Sequence, residues 1–400
     1  MSEVPEYPFE REGVLTPCPH YARLRAESPV ALVRMPSGDT ARLVTSHEGV
    51  RAVLGDPRFS REATLAEGAP RLAAAPQRFP SLPNLDGAPH ARVRALVSRE
   101  FTARRVAALR PRIQELTDGL LDRLADGGPG QDLVGAFAFP LPVRVICELL
   151  GVPLADQEMF SRWSAAFVAT TGSSAAEMLA AQAGLRGYLV RLLDAKRASP
   201  GDDLLSALVS VHEQDQEQLS QEELVYLGVS LLVAGHETTV NQIANGTLAL
   251  LLEPRPSSAV EALAEGSEDE AAAVVEELLR LHLPGDETLL RIAVEDVAVE
   301  GTVVRAGEAV LPSLGSANRD AARFAEPDAL RWDRPERGHL SFGHGPHYCL
   351  GSGLARAELQ IALRSLFRRF PTLRLDVPPA QVPRSSGRLI HGVSRLQVAW

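Results

Sequence analysis

Cysteine is scarce in this sequence: 400 residues contain three, Cys18, Cys147 and Cys349. An odd and sparse count rules out a disulfide framework and fits a reducing compartment, so a cytoplasmic protein is expected. Long hydrophobic runs are missing too. The most apolar stretch, Leu224 to Gly235, is too short to span a bilayer and runs into His236-Glu237. Met1 to Glu12 is acidic and proline-bearing, with no basic region leading into an apolar one, so no secretory signal is expected. Positive charge is in deficit: 41 Lys and Arg against 51 Asp and Glu leave a formal charge of −10. That balance excludes general binding to nucleic acid or to an anionic membrane.

What is present is a large apolar fraction, 45%, enough for an extensive core. Val30-Ala-Leu-Val-Arg and Ala41-Arg-Leu-Val-Thr flank Pro36-Ser-Gly-Asp39, a hairpin pattern, and a short helix is expected from about Glu48 to Leu54. Residues 61–89 are rich in Ala, Pro and Gly around Leu65, Leu72, Phe79, Leu82 and Leu85, an irregular connection long enough to be functional. From Pro89 to about residue 252 the periodicity is helical, broken at Gly127-Gly-Pro-Gly130, Pro153 and Pro200-Gly201. Valines at 294, 297, 299, 303, 304 and 310, with Gly301 and Gly307 between them, mark short strands, as do Leu373-Arg-Leu and Leu396-Gln-Val. The expectation is a mostly α chain with small β-sheets (α+β), one domain over 1–400. Its helix-rich core covers about 89–282, with β-rich parts at about 30–60, 291–312 and 372–400.

Cys147 lies in an apolar helical run and is a core residue. Cys349 differs. It stands in Phe342-Gly343-His344-Gly345-Pro346-His347-Tyr348-Cys349-Leu350-Gly351, and Leu359, Leu363, Leu366 and Phe370 follow at helical spacing. A cysteine on a glycine-rich turn feeding a helix start meets free backbone N–H groups, which favour thiolate and lower its pKa. The glycines let a flat ligand approach the backbone closely. A thiolate so held is a soft ligand for iron. A colourless zinc site from His344, His347 and Cys349 is the competing metal reading.

The pattern Phe-Gly-x-Gly-x-His-x-Cys-x-Gly resembles the haem-binding loop of the cytochrome P-450 family. The resemblance implies the cytochrome P-450 fold, a triangular single catalytic domain with a long central helix over the haem. It also implies haem b (iron protoporphyrin IX), with Cys349 as axial iron ligand and Phe342, Gly343 and Gly351 shaping the loop. A second segment, Ala234-Gly235-His236-Glu237-Thr238-Thr239, interrupts an apolar helix opened by the capping box Ser220-Gln-Glu-Glu223. Ala234 and Thr238 share a face, the small Ala234-Gly235 pair leaves room beside the helix, and a Thr hydroxyl bonded back to a carbonyl bends it. The segment looks like the family's oxygen-activating motif, which assigns Thr238 to oxygen activation and Glu237 to proton delivery.

Further parts follow the same pattern. Glu277 and Arg280 sit at i, i+3; the family buries such a pair with a second arginine, best matched by Arg334, as a structural element. His90 and Arg94, one turn apart, resemble a propionate clamp, joined by Arg291 and His347. Residues 92–112 hold seven arginines against Glu100, a basic face around Arg92, Arg99, Arg104 and Arg105 suited to an acidic ferredoxin that passes electrons from NAD(P)H through ferredoxin reductase. A monomer without membrane or nucleic-acid partners is expected. The implied activity is a bacterial haem-thiolate monooxygenase that hydroxylates or epoxidises a secondary metabolite. The alternative is oxidative C–C coupling or another oxidation without oxygen insertion. Aromatics make up only 5% of the chain, and the family's pocket positions here are mostly Ala, Leu or Gly, which suggests an aliphatic, polyketide or macrolide-like substrate. Asp286 and Glu287, at the pocket mouth, are candidates to meet an amine.

Overall fold

Hydrophobic alternation and turn glycines place the strands. The structure, a computed structural model, describes the chain except residues 1–3, 11–12, 14, 74–79, 171, 255–256, 286–289 and 386. The strands are β1 (Val30–Arg34), β2 (Thr40–Val44), β3 (Phe59–Ser60), β4 (Gln131–Asp132), β5 (Arg291–Ala293), β6 (Val297–Val299), β7 (Thr302–Val304), β8 (Ala309–Pro312), β9 (Arg374–Leu375) and β10 (Gln397–Ala399). β1 and β2 form the expected hairpin, Val30 opposite Val44, and β2 pairs parallel to β8, Ala41 opposite Ala309. The main sheet runs β1-β2-β8-β5-β3; a three-stranded sheet runs β4-β10-β9; β6 and β7 pair alone. Sequence periodicity passed over β4, which owes its extended form to pairing with β10 from the far end of the chain.

Helices fill the rest: α1 (Pro19–Glu27), α2 (His47–Gly55), α3 (Gly87–Ser98), α4 (Ala103–Asp126), α5 (Pro140–Leu150), α6 (Gln157–Phe167), α7 (Ala175–Ala198), α8 (Leu204–Gln214), α9 (Gln221–Leu252), α10 (Ser258–Ala264), α11 (Glu268–Leu281), α12 (Leu314–Ala317) and α13 (Ser352–Arg369). Their starts are chemically marked. Ser174, Ser220 and Ser267 each form a capping box with the Glu three residues on, satisfying N–H groups that the helix itself cannot. α9 is the long apolar helix foreseen at Thr238, and it packs against α5, α7, α11 and α13. Two large apolar clusters meet along it, one with α4, α11 and α13, the other with α5, α7 and α8. Among the described residues no helix is long and apolar enough to cross a membrane.

One polar knot lies inside this packing. Glu277 is 4% exposed, and Arg280 and Arg334 are each 2% exposed. Arg280 donates to Glu277 through Nε at 2.8 Å and Nη2 at 2.7 Å, and Arg334 Nε donates to both Glu277 oxygens at 3.0 Å. Burial alone would raise the Glu277 pKa; the two guanidiniums and the Arg331 N–H outweigh it and hold the carboxyl below its usual range. Arg334 is thus the second arginine that the motif required. Removing one partner strands a buried charge, so Glu277→Gln should cost about 3–5 kcal/mol in urea unfolding. Arg112→Ala, which breaks exposed pairs with Glu115 and Glu148, should shift the midpoint little.

Candidate active site

The cysteine turn is built by its own backbone. Cys349 N–H donates to Phe342 O at 2.8 Å, and Gly343 N–H to Leu340 O at 2.8 Å. Gly343 and Gly345 adopt φ of 74° and 71°, the left-handed region that a side chain disfavours. A Cβ on Gly345 would also stand 2.8 Å from Leu54 O, so the loop lies directly on the end of α2. Gly351 caps α13. The Arg356 guanidinium lies 4.4 Å above the Phe342 ring and donates to Glu276 at 2.7 and 2.9 Å. Glu276 also receives His339 Nε2 at 3.1 Å.

The expected lowering of the Cys349 pKa is corrected. Burial pushes this thiol up, and the Gly351 N–H, Arg94 and Arg356 only oppose it. Desolvation wins because no full positive charge touches the sulfur from the protein; a metal cation bound there would remove the proton outright. The zinc reading fails on geometry. His347 turns to Asp86, 3.2 Å away, and His344 lies beside Gly55. Among the described residues no three His, Cys, Asp or Glu side chains gather to hold a metal ion.

On α9, Thr238 Oγ1 donates to Ala234 O at 3.0 Å, the back-bond expected of it. Ala234 is exposed although Leu232, Val233, His236 and Glu237 around it are buried, so the helix borders open space at this turn. Leu350, next to Cys349, packs into the same apolar cluster as Val233. Burial pushes the Glu237 carboxyl up to about 6, with Arg388 opposing. His236 Nδ1–H donates to Leu232 O at 2.7 Å, and burial holds the ring down at about 4, neutral at pH 7. Gly235 is not where the sequence reading put it. Its missing Cβ would lie 2.4 Å from Ile146 Cδ1, so this glycine admits α5 against α9 and makes no room for a ligand.

A ring of basic side chains stands beside the loop. His90 and His347 have ring centroids 4.3 Å apart. Burial, then His347 and Arg94, hold the His90 pKa down at about 4. Arg94 Nη2 donates to Tyr348 O at 2.7 Å, tying α3 to the cysteine loop. Arg291 Nη1 donates to Phe59 O at 2.8 Å, while its buried Nε and Nη2 have no partner among the described residues. Burial lowers the Arg291 pKa to about 10, and burial with Arg291 does the same to Arg61. Arg61 was missed from the sequence, as was Asp86, which accepts from Ser60 at 2.6 Å, from the N–H groups of Arg61 and Glu62 at 2.9 Å, and from His347. Their only sequence signal was position at the two ends of the irregular 61–86 connection.

This donor set fits a dianionic porphyrin. Orphaned buried guanidinium N–H groups require an acceptor; two carboxylates beside Arg291, His90 and His347 would supply it, and Cys349 would offer its sulfur to the iron. The basic outer face is smaller than expected. Arg92 donates to Glu223 and to Gln218 O, and Arg105 pairs with Glu100 at 3.0 Å. Arg99 and Arg104 remain exposed without an ion pair to a described residue. Arg92 therefore leaves the set of free cations.

Comparison with known proteins agrees with this geometry. Residues 271–394 match the Cytochrome P450 family. The Nocardicin C N-oxygenase of Nocardia uniformis subsp. tsuyamanensis is 46% identical over 396 residues, 98% of each chain. The Mycinamicin IV hydroxylase/epoxidase of Micromonospora griseorubida is equally similar, 46% over 98% of each chain. The crystal structure of HinD with NMFT and NO superposes with a TM-score of 0.94 at 43% identity, covering 100% of both chains. Likeness in sequence over nearly the whole chain and likeness in fold together place the chain in the cytochrome P450 family.

Proposed function

We propose that the protein is a haem-thiolate monooxygenase that hydroxylates or epoxidises a small-molecule secondary metabolite. The observation that carries this reading is buried Arg291, with two donors that have no partner among the described residues, near His90 and His347 beside the Cys349 loop. Bound haem supplies iron at which O2 binds and is activated.

The protein residues divide the remaining work. Cys349 provides the sulfur ligand, and Phe342 O holds its backbone in place. Arg291, His90, Arg94 and His347 take the propionates, and Arg94 also steadies the loop through Tyr348 O. Thr238 commits its proton to Ala234 O, so its lone pairs face the open turn and accept a hydrogen bond there. Glu237 changes protonation near pH 6 and can hand on a proton at neutral pH. The names of similar proteins, an N-oxygenase and a hydroxylase/epoxidase, favour oxygen insertion over coupling and a natural product, polyketide or macrolide-like, as substrate. Asp286 and Glu287, considered for an amine, lie outside the described residues. Electrons are to come from NAD(P)H through a ferredoxin docking at Arg99 and Arg104.

Cys349→Ser should abolish the strongly red-shifted Soret band of the reduced CO complex, and Thr238→Ala should keep it while diverting electrons to peroxide. The product formed per NAD(P)H should fall as pH rises through about 6, because the donor form of Glu237 is lost. Glu237→Gln should flatten that profile and lower turnover by about a hundredfold. Stopped-flow reduction by an acidic ferredoxin should slow in Arg99→Glu/Arg104→Glu and lose part of its salt dependence, with the ferric spectrum unchanged.

A further inference from the structure

A cavity of about 230 Å³ lies between α1 and the end of α11. Its lining runs from exposed Ala22 on α1 to buried Asn245 on α9. Arg61, His90, Arg291, His347 and residues 342–351 are all absent from that lining, so the cavity is separate from the site proposed for haem. At 1.5 Å per residue, Asn245 stands about 10 Å along α9 from Thr238. The volume falls below the ~300–1,000 Å³ usual for drug-sized ligands, which makes it too small for a macrolide-like substrate.

The polar groups in this lining are donors short of acceptors. Arg25 Nη1 donates to Ser316 O at 3.2 Å and to Ser316 Oγ at 2.9 Å. Ser316 is itself fixed, donating from Oγ to Thr45 O at 2.9 Å. That leaves Arg25 Nε and Nη2 without an acceptor among the described residues, and no carboxylate there pairs with the guanidinium. Burial lowers the Arg25 pKa, outweighing the opposing fields of Asp320 and Asp328. Asn245 is 4% exposed. Its Oδ1 accepts the Val393 N–H at 3.1 Å, while its Nδ2 has no acceptor among the described residues. The His282 ring has no partner there either, and burial, then Arg319 and Arg280, hold it at about 3, neutral at pH 7.

The remaining charges cancel, because Arg319 Nη1 donates to Asp328 Oδ1 at 2.6 Å. One cation is left over, that of Arg25. Pro17, Tyr21, Leu281 and Leu283 add apolar surface. Unclaimed donors, one net positive charge and an apolar wall suit a small anion with an apolar body. A carboxylate matches the guanidinium fork and its single charge; a phosphate dianion would leave one charge unmatched.

We propose that this cavity is a second binding site, for a small monocarboxylate, with Arg25 as the anion anchor and Asn245 and His282 as further donors. The proposal goes beyond the monooxygenase reading and does not depend on it: the occupant is a ligand other than the molecule oxidised beside Cys349.

The test uses the haem-loaded full chain with its iron blocked by excess 4-phenylimidazole, so that only a site away from the iron is open. Binding of 4-fluorobenzoate is followed by fluorine NMR. It should saturate, and it should be at least about tenfold tighter than binding of neutral 4-fluorobenzamide. Arg25→Gln should weaken it about tenfold, and Arg25→Lys should keep it in part. Ala22→Trp, which fills the mouth of the cavity and leaves Arg25 in place, should abolish it and serves also if Arg25→Gln fails to fold. Absence of saturable binding, an amide that binds as tightly as the acid, or an affinity unchanged in Arg25→Gln or in Ala22→Trp overturns the proposal. Displacement by inorganic phosphate as readily as by unlabelled benzoate overturns the choice of a carboxylate. A protein that gives no azole shift would sink the monooxygenase reading, while the benzoate titration would still judge this cavity, so the two failures are told apart.

Discussion

Glu277 carries one buried negative charge, and the cysteine turn hangs from it. Arg280, which neutralises that charge, also donates to Asn318 O at 2.7 Å. Asn318 Oδ1 accepts the Leu340 N–H at 2.7 Å, and its Nδ2 donates to Ser341 Oγ at 2.8 Å. Ser341 Oγ donates to Leu279 O, Leu340 O accepts from Gly343, and Phe342 O accepts from Cys349. A continuous run of hydrogen bonds therefore links a carboxylate on α11 to the backbone of the cysteine. In a low-dielectric interior such a network is rigid when complete and costly when broken. That explains why a reaction centre needs a structural ion cluster that never touches the substrate.

The electrostatics of the molecule are divided. The whole chain is acidic at −10, yet the space beside the cysteine is walled by Arg61, Arg291, His90 and His347, with Asp86 as the carboxylate among them. Burial lowers the pKa of each of these four basic groups; it leaves His90, at about 4, neutral at pH 7 and the two guanidiniums, at about 10, charged. On α9 the buried acid Glu237 is pushed up by the same desolvation. One physical cause, desolvation, thus shifts the basic groups and the acid alike toward their neutral forms.

What could be seen in the sequence was local. The Cys349 turn was legible because its glycines, its proline and the following helix occupy adjacent positions, and the capping box of α9 likewise. Thr238 was legible because the back-bond to Ala234 spans one turn. Tertiary neighbours were not. Gly235 was misassigned because the reason for it, Ile146, lies on another helix. Arg92 was counted as free because Glu223 meets it only after folding. The thiol pKa was misjudged because helix-start N–H groups are visible in sequence, whereas desolvation is a property of the packed interior. Arg61 and Asp86 were missed because an irregular connection has no period to read.

Gly345 rests against Leu54 O and Gly55 Cα with no space for a side chain, and Arg94 grips the same loop from α3. Both supports are made early by the ribosome, and the loop is made near the end. Synthesis runs from the N-terminus, so β1, β2, α2 and α3 are all made before residues 342–351. The Cys349 turn, proposed to ligate iron, is among the last pieces made. A chain truncated before that point would lose the Cys349 turn together with α13, which packs on α4, α9, α10 and α11.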